Sequence, residues 1–472
     1  MKSNRRKFLQ YSGLTGFALA LDNITKSFSK DTLGDLSNTL NQRSEKAHFN
    51  MCGYAAPKLE TVRIGFIGLG NRGPAAVDRM SHIEGVEIKA LSDIRSEKAN
   101  AVKKSLEGSM HKPIVYTGKE EEWKKLCEQP DIDLVYIATP WALHTPMATY
   151  AMNHGKHVCV EVPAAKTIDE CWQLVETSER TRKHCMMLEN CCYDFFELLT
   201  LNLVRQGLFG EIVHGEGAYD HDLLLGNFSK EKYYNMWRLK ENFRNGNLYP
   251  THGLGPVAQA MNINRGDKMD YLVAVQSNDF MMQKMANDLA AKDDFYKPFA
   301  NKKYRGNMDV TTIRTNKGRT IMLQHDVTSP NIYSRIHKIS GTKGSALKYP
   351  EPGRIALDDK DWLSEEEYKK LEEKYQPAIV KKIGDQAKKL GGHGGMDFLM
   401  DWRTIDCLRN GLPLDEDVYD AALWSSIAPL SEWSVANRSN SIDVPDFTSG
   451  SWKTNQPVDI ALEKGGTTKV LV

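Results

Sequence analysis

From residue 61 to about 188 the chain alternates between two kinds of pattern. Short, unbroken apolar runs rich in β-branched residues occur at 62–67, 86–92, 113–116, 133–138, 157–161 and 184–188. Helical stretches lie between them, near 74–81, 95–107, 119–128, 143–154 and 167–182. Apolar runs without polar alternation predict strands buried on both faces. Strand and helix in strict alternation predict right-handed crossovers and a parallel sheet, with ligands outside the carboxyl ends of the strands. Beyond about 189 the pattern changes. Segments 212–219, 271–277, 308–315, 319–326 and 332–340 read as strands, some separated by turn signals such as Asn316-Lys317-Gly318, with few helices between them. A second, mostly antiparallel sheet is predicted there, one face over the ligand of the first domain. Helix returns near 364–375, 396–410 and 418–436, and no internal repeat is present.

The first strand leads into Gly68-Leu69-Gly70-Asn71-Arg72-Gly73, a G-x-G-x-x-G turn. In a dinucleotide-binding Rossmann unit Gly68 permits the tight turn, Gly70 lets a pyrophosphate approach the backbone, and Gly73 lets the helix pack close to the strand. The free N–H groups of the helix start then face phosphate. The second strand ends in Asp93, twenty residues past Gly73. An acid at that place accepts bonds from an adenosine ribose and favours NAD over NADP. Arg72, inside the turn, keeps a phosphate contact and the NADP alternative open.

Composition narrows the picture further. A chain of 472 residues has room for two domains, and its formal net charge of +1 offers no basis for nucleic acid or an acidic membrane surface as partner. The eight cysteines show neither zinc-like spacing nor a disulfide framework, so no metal site is expected. Asn4-Arg5-Arg6-Lys7-Phe8-Leu9, a short apolar run and Ala18-Leu19-Ala20 look like a twin-arginine export signal with its cleavage site. That run is far too short for a permanent membrane span. The polar stretch from about 22 to 57 reads as a linker or loosely docked arm. The expected division is 1–57 signal and linker, 58–188 dinucleotide-binding domain, and 189–472 substrate-binding α+β domain. The expected location is the periplasm or outside the cell.

With a Thr139-Pro140-…-His144 segment after the fourth strand and Glu161-Val162-Pro163 after the fifth, the chain resembles the glucose–fructose oxidoreductase / inositol dehydrogenase superfamily. It resembles more closely a glycosidase branch, glycoside hydrolase family 109. That likeness rests on Leu69–Gly73, Trp141–His144, Glu161–Pro163, Glu189-Asn190-Cys191-Cys192-Tyr193, Tyr249-Pro250-Thr251-His252-Gly253-Leu254-Gly255-Pro256 and Gly392-His393-Gly394-Gly395-Met396-Asp397. Sugar dehydrogenases of the superfamily resemble one another in Glu-Lys-Pro, where the lysine helps remove a hydroxyl proton. Here Val162 stands in its place. Their Asp-x-x-x-His is replaced as well, by Thr251 and Gly255, with His252 at a new position.

The resemblance implies hydrolysis of terminal N-acetylgalactosamine through a cycle of oxidation, elimination, water addition and reduction that needs NAD but consumes none. NAD-dependent glycosidases are a recognised exception to two-carboxylate hydrolysis. It assigns His252 and Tyr193 to proton transfer. Gly68, Gly70, Asn71, Arg72, Gly73, Asp93, Trp141, His144, Glu161, Val162 and Asn190 are assigned to the coenzyme. Tyr219, Arg238, Tyr249, His252 and Tyr333 are assigned to the sugar, and His393 is a further cleft candidate. Rings stack on sugar faces, and an arginine grips hydroxyl or acetamido oxygens. A homodimer paired through sheet edges is a further expectation. Two other readings stand beside this one: a periplasmic NAD-dependent sugar or cyclitol dehydrogenase, and a non-catalytic, NAD-filled sugar-binding protein.

Overall fold

The computed structural model describes residues 49–358 and 361–471; the arginine pair and the cleavage site expected near the start lie outside them. The first half follows the predicted alternation closely. Its elements are β1 (Val62–Ile67), α1 (Gly73–Ser81), β2 (Val86–Asp93), α2 (Ser96–Ser105), β3 (Ile114–Thr117), α3 (Glu122–Cys127) and β4 (Leu134–Ile137). They continue with α4 (His144–Asn153), β5 (His157–Val160), α5 (Ile168–Thr181) and β6 (Cys185–Met187). The strands form one parallel sheet in the order β3-β2-β1-β4-β5-β6, so the chain reverses direction between β1 and β4. That reversal opens the crevice in which such sheets take their ligands. All of β4 and β5 is buried, which is why those strands carry no polar alternation.

The second half holds α6 (Phe195–Arg205), β7 (Ile212–Asp220), α7 (Leu224–Asn227), α8 (Trp237–Glu241), α9 (Thr251–Ala260), β8 (Met269–Gln276), α10 (Met282–Ala290), β9 (Asp309–Thr315) and β10 (Thr320–Asp326). The strands β11 (Lys338–Gly341), β12 (Gly344–Leu347) and β13 (Arg354–Leu357) follow. The last elements are α11 (Glu365–Tyr375), α12 (Ala378–Leu390), α13 (Met396–Asn410), α14 (Val418–Ala436) and β14 (Ile442–Asp443). An eight-stranded sheet runs β13-β12-β11-β7-β10-β9-β8-β14, antiparallel throughout except for the pair β7 and β10.

Two expectations need correction. Helices are not few between the strands of this half, because α7 to α10 all lie there. The predicted strand 332–340 narrows to β11, since residues 332–337 form an irregular segment with Ile336 and His337 at positive φ. Helix α9 covers β7, and its packing is backbone to backbone. A Cβ on Gly253 would stand 2.4 Å from the Ala218 nitrogen, and one on Gly217 would stand 2.3 Å from the Gly253 carbonyl oxygen. The glycines that make 249–256 look like a loop are what let this helix seat.

Helices α13 and α14 belong in space to the first sheet. Ser425 of α14 accepts a hydrogen bond from the Ala164 amide, and Asp401 of α13 pairs with Arg79 of α1 at 2.7 Å. α14 is apolar around its whole circumference and buried for nearly its full length, as a helix clamped between two layers should be. The chain ends cross over too. The Met51 amide donates to Tyr419 of α14 and the Leu59 amide to the Leu408 carbonyl of α13, so this part of the expected loose arm is docked. At the other end Val470 bridges Ile83, and the Leu471 amide donates to the His82 carbonyl. All eight cysteines are free.

Candidate active site

The turn after β1 is shaped by its glycines. Gly68 has φ +93°, and a Cβ there would lie 2.6 Å from the Ala138 carbonyl group. A Cβ on Gly73 would fall 2.0 Å from the Gly68 oxygen. Both positions exclude every other residue, one through conformation and contact, the other through contact alone. Around Gly70 the space is open except for the flexible tip of Arg95, so its backbone is accessible to a ligand. Asp93 braces this turn, accepting the Leu69 amide at 2.8 Å and the Arg95 amide at 2.9 Å, with the Arg95 guanidinium at 3.2 Å. The second half reaches across: the Asn71 side chain donates to the Lys232 carbonyl at 2.7 Å, and the Tyr234 ring lies 5.1 Å from Arg95.

Arg72 does not stand free for a phosphate. Its Nε donates to Glu161 at 3.0 Å, and its other end lies 3.4 Å from Asp397 and 3.2 Å from His393. Glu161 in the first place, and Asp397, raise its pKa above the ordinary arginine value. Asp397 also accepts from Asn190. Burial alone would raise its carboxyl; the His393 bond, Arg72 and Arg79 instead hold it far below the usual range. A chain of charges thus fixes Glu161, Arg72, Asp397 and Asn190 as one unit. His144 is fully buried, and both ring nitrogens lie 2.7 Å from backbone carbonyls, those of Pro163 and Thr139. It braces the two strand-end loops against each other and has no nitrogen left for a ligand. Val162 is buried beside Pro163.

On the other side of the crevice an aromatic set converges. Trp141 stacks on Tyr249 at 5.7 Å, Tyr249 packs on Tyr219 at 4.6 Å, and Tyr333 meets Tyr219 edge-on at 6.2 Å. Arg238 of α8 lies about as far from the rings of Trp141, Tyr233 and Tyr249, at 5.5, 5.5 and 5.4 Å. A guanidinium among ring faces is held by their quadrupoles, and here it is also hydrogen-bonded to the Tyr219 hydroxyl. His252 sits in the first turn of α9, with the Tyr249 ring 4.8 Å away at 89° and the Tyr219 ring 5.4 Å away at 71°. Its Nδ1 lies 2.7 Å from Oε1 of Glu189, which is fully buried. Burial by itself would raise the Glu189 carboxyl; the His252 charge and hydrogen bond outweigh this and hold it below its ordinary value.

The structure does not bring Tyr193 to His252. The phenol donates to Asp415 at 3.3 Å, on the side of α13, and Asp415 is held in turn by Arg403. Burial first, then Asp415 and Glu416, push its pKa well above 10. Among the described residues no ring contact joins Tyr193 to His252. Tyr249 and Tyr219 hold that place. Glu189, Asp397 and Arg95 are the groups that sequence reasoning missed. Glu189 lay inside a quoted motif, one residue before Asn190, and an acid next to a carried-over site residue was the available signal. Glu189, Cys191 and His252 also bring three potential metal-ligand atoms within 4.8 Å of one another. The imidazole and carboxylate of this group are bonded to each other.

Comparisons with known proteins agree with this layout. Residues 62–189 match the oxidoreductase family with an NAD-binding Rossmann fold, and residues 193–454 match the glycosyl hydrolase 109 C-terminal domain. The chain is 51% identical to an α-N-acetylgalactosaminidase of Bacteroides fragilis, over 86% of this chain and 96% of that one. A family 109 protein of Shewanella pealeana is 44% identical over 98% of this chain and 99% of its own length. Among solved structures, levoglucosan dehydrogenase in complex with NADH superposes with a TM-score of 0.61 at 18% identity, covering 82% of this chain and 100% of that one. Myo-inositol dehydrogenase of Lactobacillus casei gives 0.55 at 15%, covering 82% and 99%. At such identities these two structures share the fold.

Proposed function

The chain belongs to glycosyl hydrolase family 109, and from that membership we propose that it is an α-N-acetylgalactosaminidase that uses NAD as coenzyme and removes terminal N-acetylgalactosamine from glycans. One observation carries the reading beyond the likeness. An imidazole, backed by a buried carboxylate, stands in an aromatic cage opposite a dinucleotide cradle, while the neighbouring strand end offers valine in place of an ionisable group. Tyr249 links the two sides, stacked on Trp141 and lying in the fields of both Glu161 and Glu189.

The residues present fit NAD. The Gly68–Gly73 turn is stripped of side chains where a pyrophosphate would approach, and Asp93 closes the adenosine end. Asn71, Trp141, Glu161, Val162 and Asn190 complete the holding set in this reading. When bound, NAD supplies a reversible two-electron oxidation at carbon 3 of the sugar, with no net redox change over a turnover. The chain's own residues then have the following roles. Arg238 and the tyrosines at 219, 249 and 333 grip the sugar and fix carbon 2 beside the imidazole. His252 removes the carbon 2 proton at Nε2, the nitrogen without a partner among the described residues. The carbon 1–oxygen bond breaks and the leaving oxygen takes up the proton held by His252; water then adds its hydroxyl at carbon 1 and gives up a proton, which His252 returns to carbon 2. The buried rings keep bulk water from the acidified carbon.

Hydrolysis of nitrophenyl N-acetylgalactosaminide in deuterated water, without added cofactor, tests this. Nitrophenol release, no accumulated NADH and deuterium at carbon 2 are expected. Product lacking that deuterium overturns the mechanism, because paired carboxylates never break that bond. Net NADH formation would favour the dehydrogenase reading instead.

The proposal extends to place. An enzyme that acquires a dinucleotide in the cytoplasm must fold before export, which gives the Arg5-Arg6 segment its reason. Replacing both arginines by lysine should leave the precursor in the cytoplasm, and an unchanged periplasmic yield removes the claim. Pairing of sheet edges in a homodimer belongs to the same proposal and is tested by sedimentation.

A further inference from the structure

We propose that Glu189 is the positioning residue of the catalytic imidazole: it fixes the His252 proton on Nδ1 and thereby makes Nε2 the nitrogen that works on the sugar. The inference rests on the glycosidase reading above and adds a residue to it.

The argument begins with hydrogen-bond inventory. A carboxylate only accepts, so a neutral imidazole 2.7 Å away must place its one proton on the facing nitrogen. That nitrogen is Nδ1, which leaves the Nε2 lone pair as the base. The ring cannot turn to exchange them, because Tyr249 and Tyr219 meet it nearly edge-on. Glu189 is itself immobile. Its side chain is fully buried, Oε1 also accepts the Cys191 amide at 3.1 Å, and its own amide donates to Glu416 at 3.3 Å. Burial and the neighbouring Glu189 push the carboxyl of Glu416, buried beneath, far up. Among the described residues His252 is the one cationic group within bonding distance of the carboxylate.

The remaining groups around His252 do not supply an alternative acceptor for Nδ1. Tyr219 and His221 face it from the end of β7, Tyr249 from the segment before α9, and Arg238 from α8; Cys191 is a protonated thiol. Each is neutral or positive.

The test uses the full-length enzyme with its retained cofactor. Glu189→Gln keeps the size and an oxygen acceptor but removes the charge. Its kcat should fall about 10- to 100-fold, the usual worth of an outer residue that orients a ligating or reacting histidine. KM, NAD content and melting temperature should stay near wild type, and Glu189→Asp should recover part of the loss. A purely structural role would lower the melting temperature and change KM or NAD content along with kcat, which overturns the inference. Should Glu189→Gln fail to fold, nitrogen-15 spectra of histidine-labelled wild-type protein decide: the Nδ1–H form of His252 is expected, and the Nε2–H form overturns it. Wild-type protein inert on N-acetylgalactosaminides would instead strike the glycosidase reading itself.

Discussion

The two sides of the crevice are made of different material. The nucleotide side is built from backbone: a turn emptied of side chains at Gly68 and Gly73, amides at the start of α1, and one carboxylate, Asp93, bracing the loop. The sugar side is built from side chains. Tyr219 comes from the end of β7, Arg238 from α8, Tyr249 and His252 from the entry to α9, Tyr333 from the irregular segment before β11, and Glu189 from the turn after β6. Backbone recognises what every dinucleotide shares. Side chains recognise what distinguishes one sugar from another. The first side is local in sequence and intolerant of change; the second is scattered and separable, residue by residue.

The sharpest test of that separation is His252→Ala. Turnover should fall roughly 10²–10⁴-fold, the usual contribution of a general acid or base, while retained NAD is unchanged. Loss of NAD in the same variant would break the distinction between the sides. Gly73→Ala should do the converse. Its methyl group would meet the Gly68 oxygen at 2.0 Å, so the turn must open, and calorimetry should show NAD affinity reduced roughly tenfold or more with a stability loss of about 1–3 kcal/mol. Arg238→Lys keeps the charge but loses the planar face set among three rings, and KM for the sugar should rise roughly tenfold with kcat little changed.

The smallest effect concerns Asp220, at the end of β7 beside Tyr219. Burial and the facing Asp326 raise its pKa to about 6, above the value near 3.9 of an unfolded chain. Its contribution to stability is thus fully present below about pH 4 and is lost as the pH rises through 6. Asp220→Asn should therefore leave urea unfolding at pH 4 unaltered and stabilise the protein at pH 8 by up to about 1–2 kcal/mol. Equal effects at both pH values would contradict the assignment.

The same contrast explains what could be read in advance. Every strand of the first sheet was legible to within about two residues at either end, because a doubly covered strand must be apolar throughout and its neighbours must be helices. The fingerprint and Asp93 followed from fixed spacing. In the second half α9 was hidden, since Gly253 and Gly255 resemble turn signals when read locally and become packing residues only once β7 and Cys192 lie against them. α14 is apolar on all sides, which erases helical periodicity, and it was found through its length; α6 was not found. Glu189 was quoted but not understood. Its meaning depends on His252, sixty-three residues later, and no spacing rule connects the two. Tyr193 was assigned by likeness alone, and its burial beneath Asp415 could not be seen from the motif.

The crossing of the chain ends has its own consequence for how the molecule is made. Residues just ahead of β1 rest on α13 and α14, and the last residues rest on the loop after α1. α13 and α14 themselves complete the first sheet's cover. The half of the protein translated first is thus the half that waits longest for its missing pieces: its layer is finished only once α13, α14 and residues 470–471 have been made. Assembly is not a relay in which one domain closes before the next begins, but a single clasp fastened at the end.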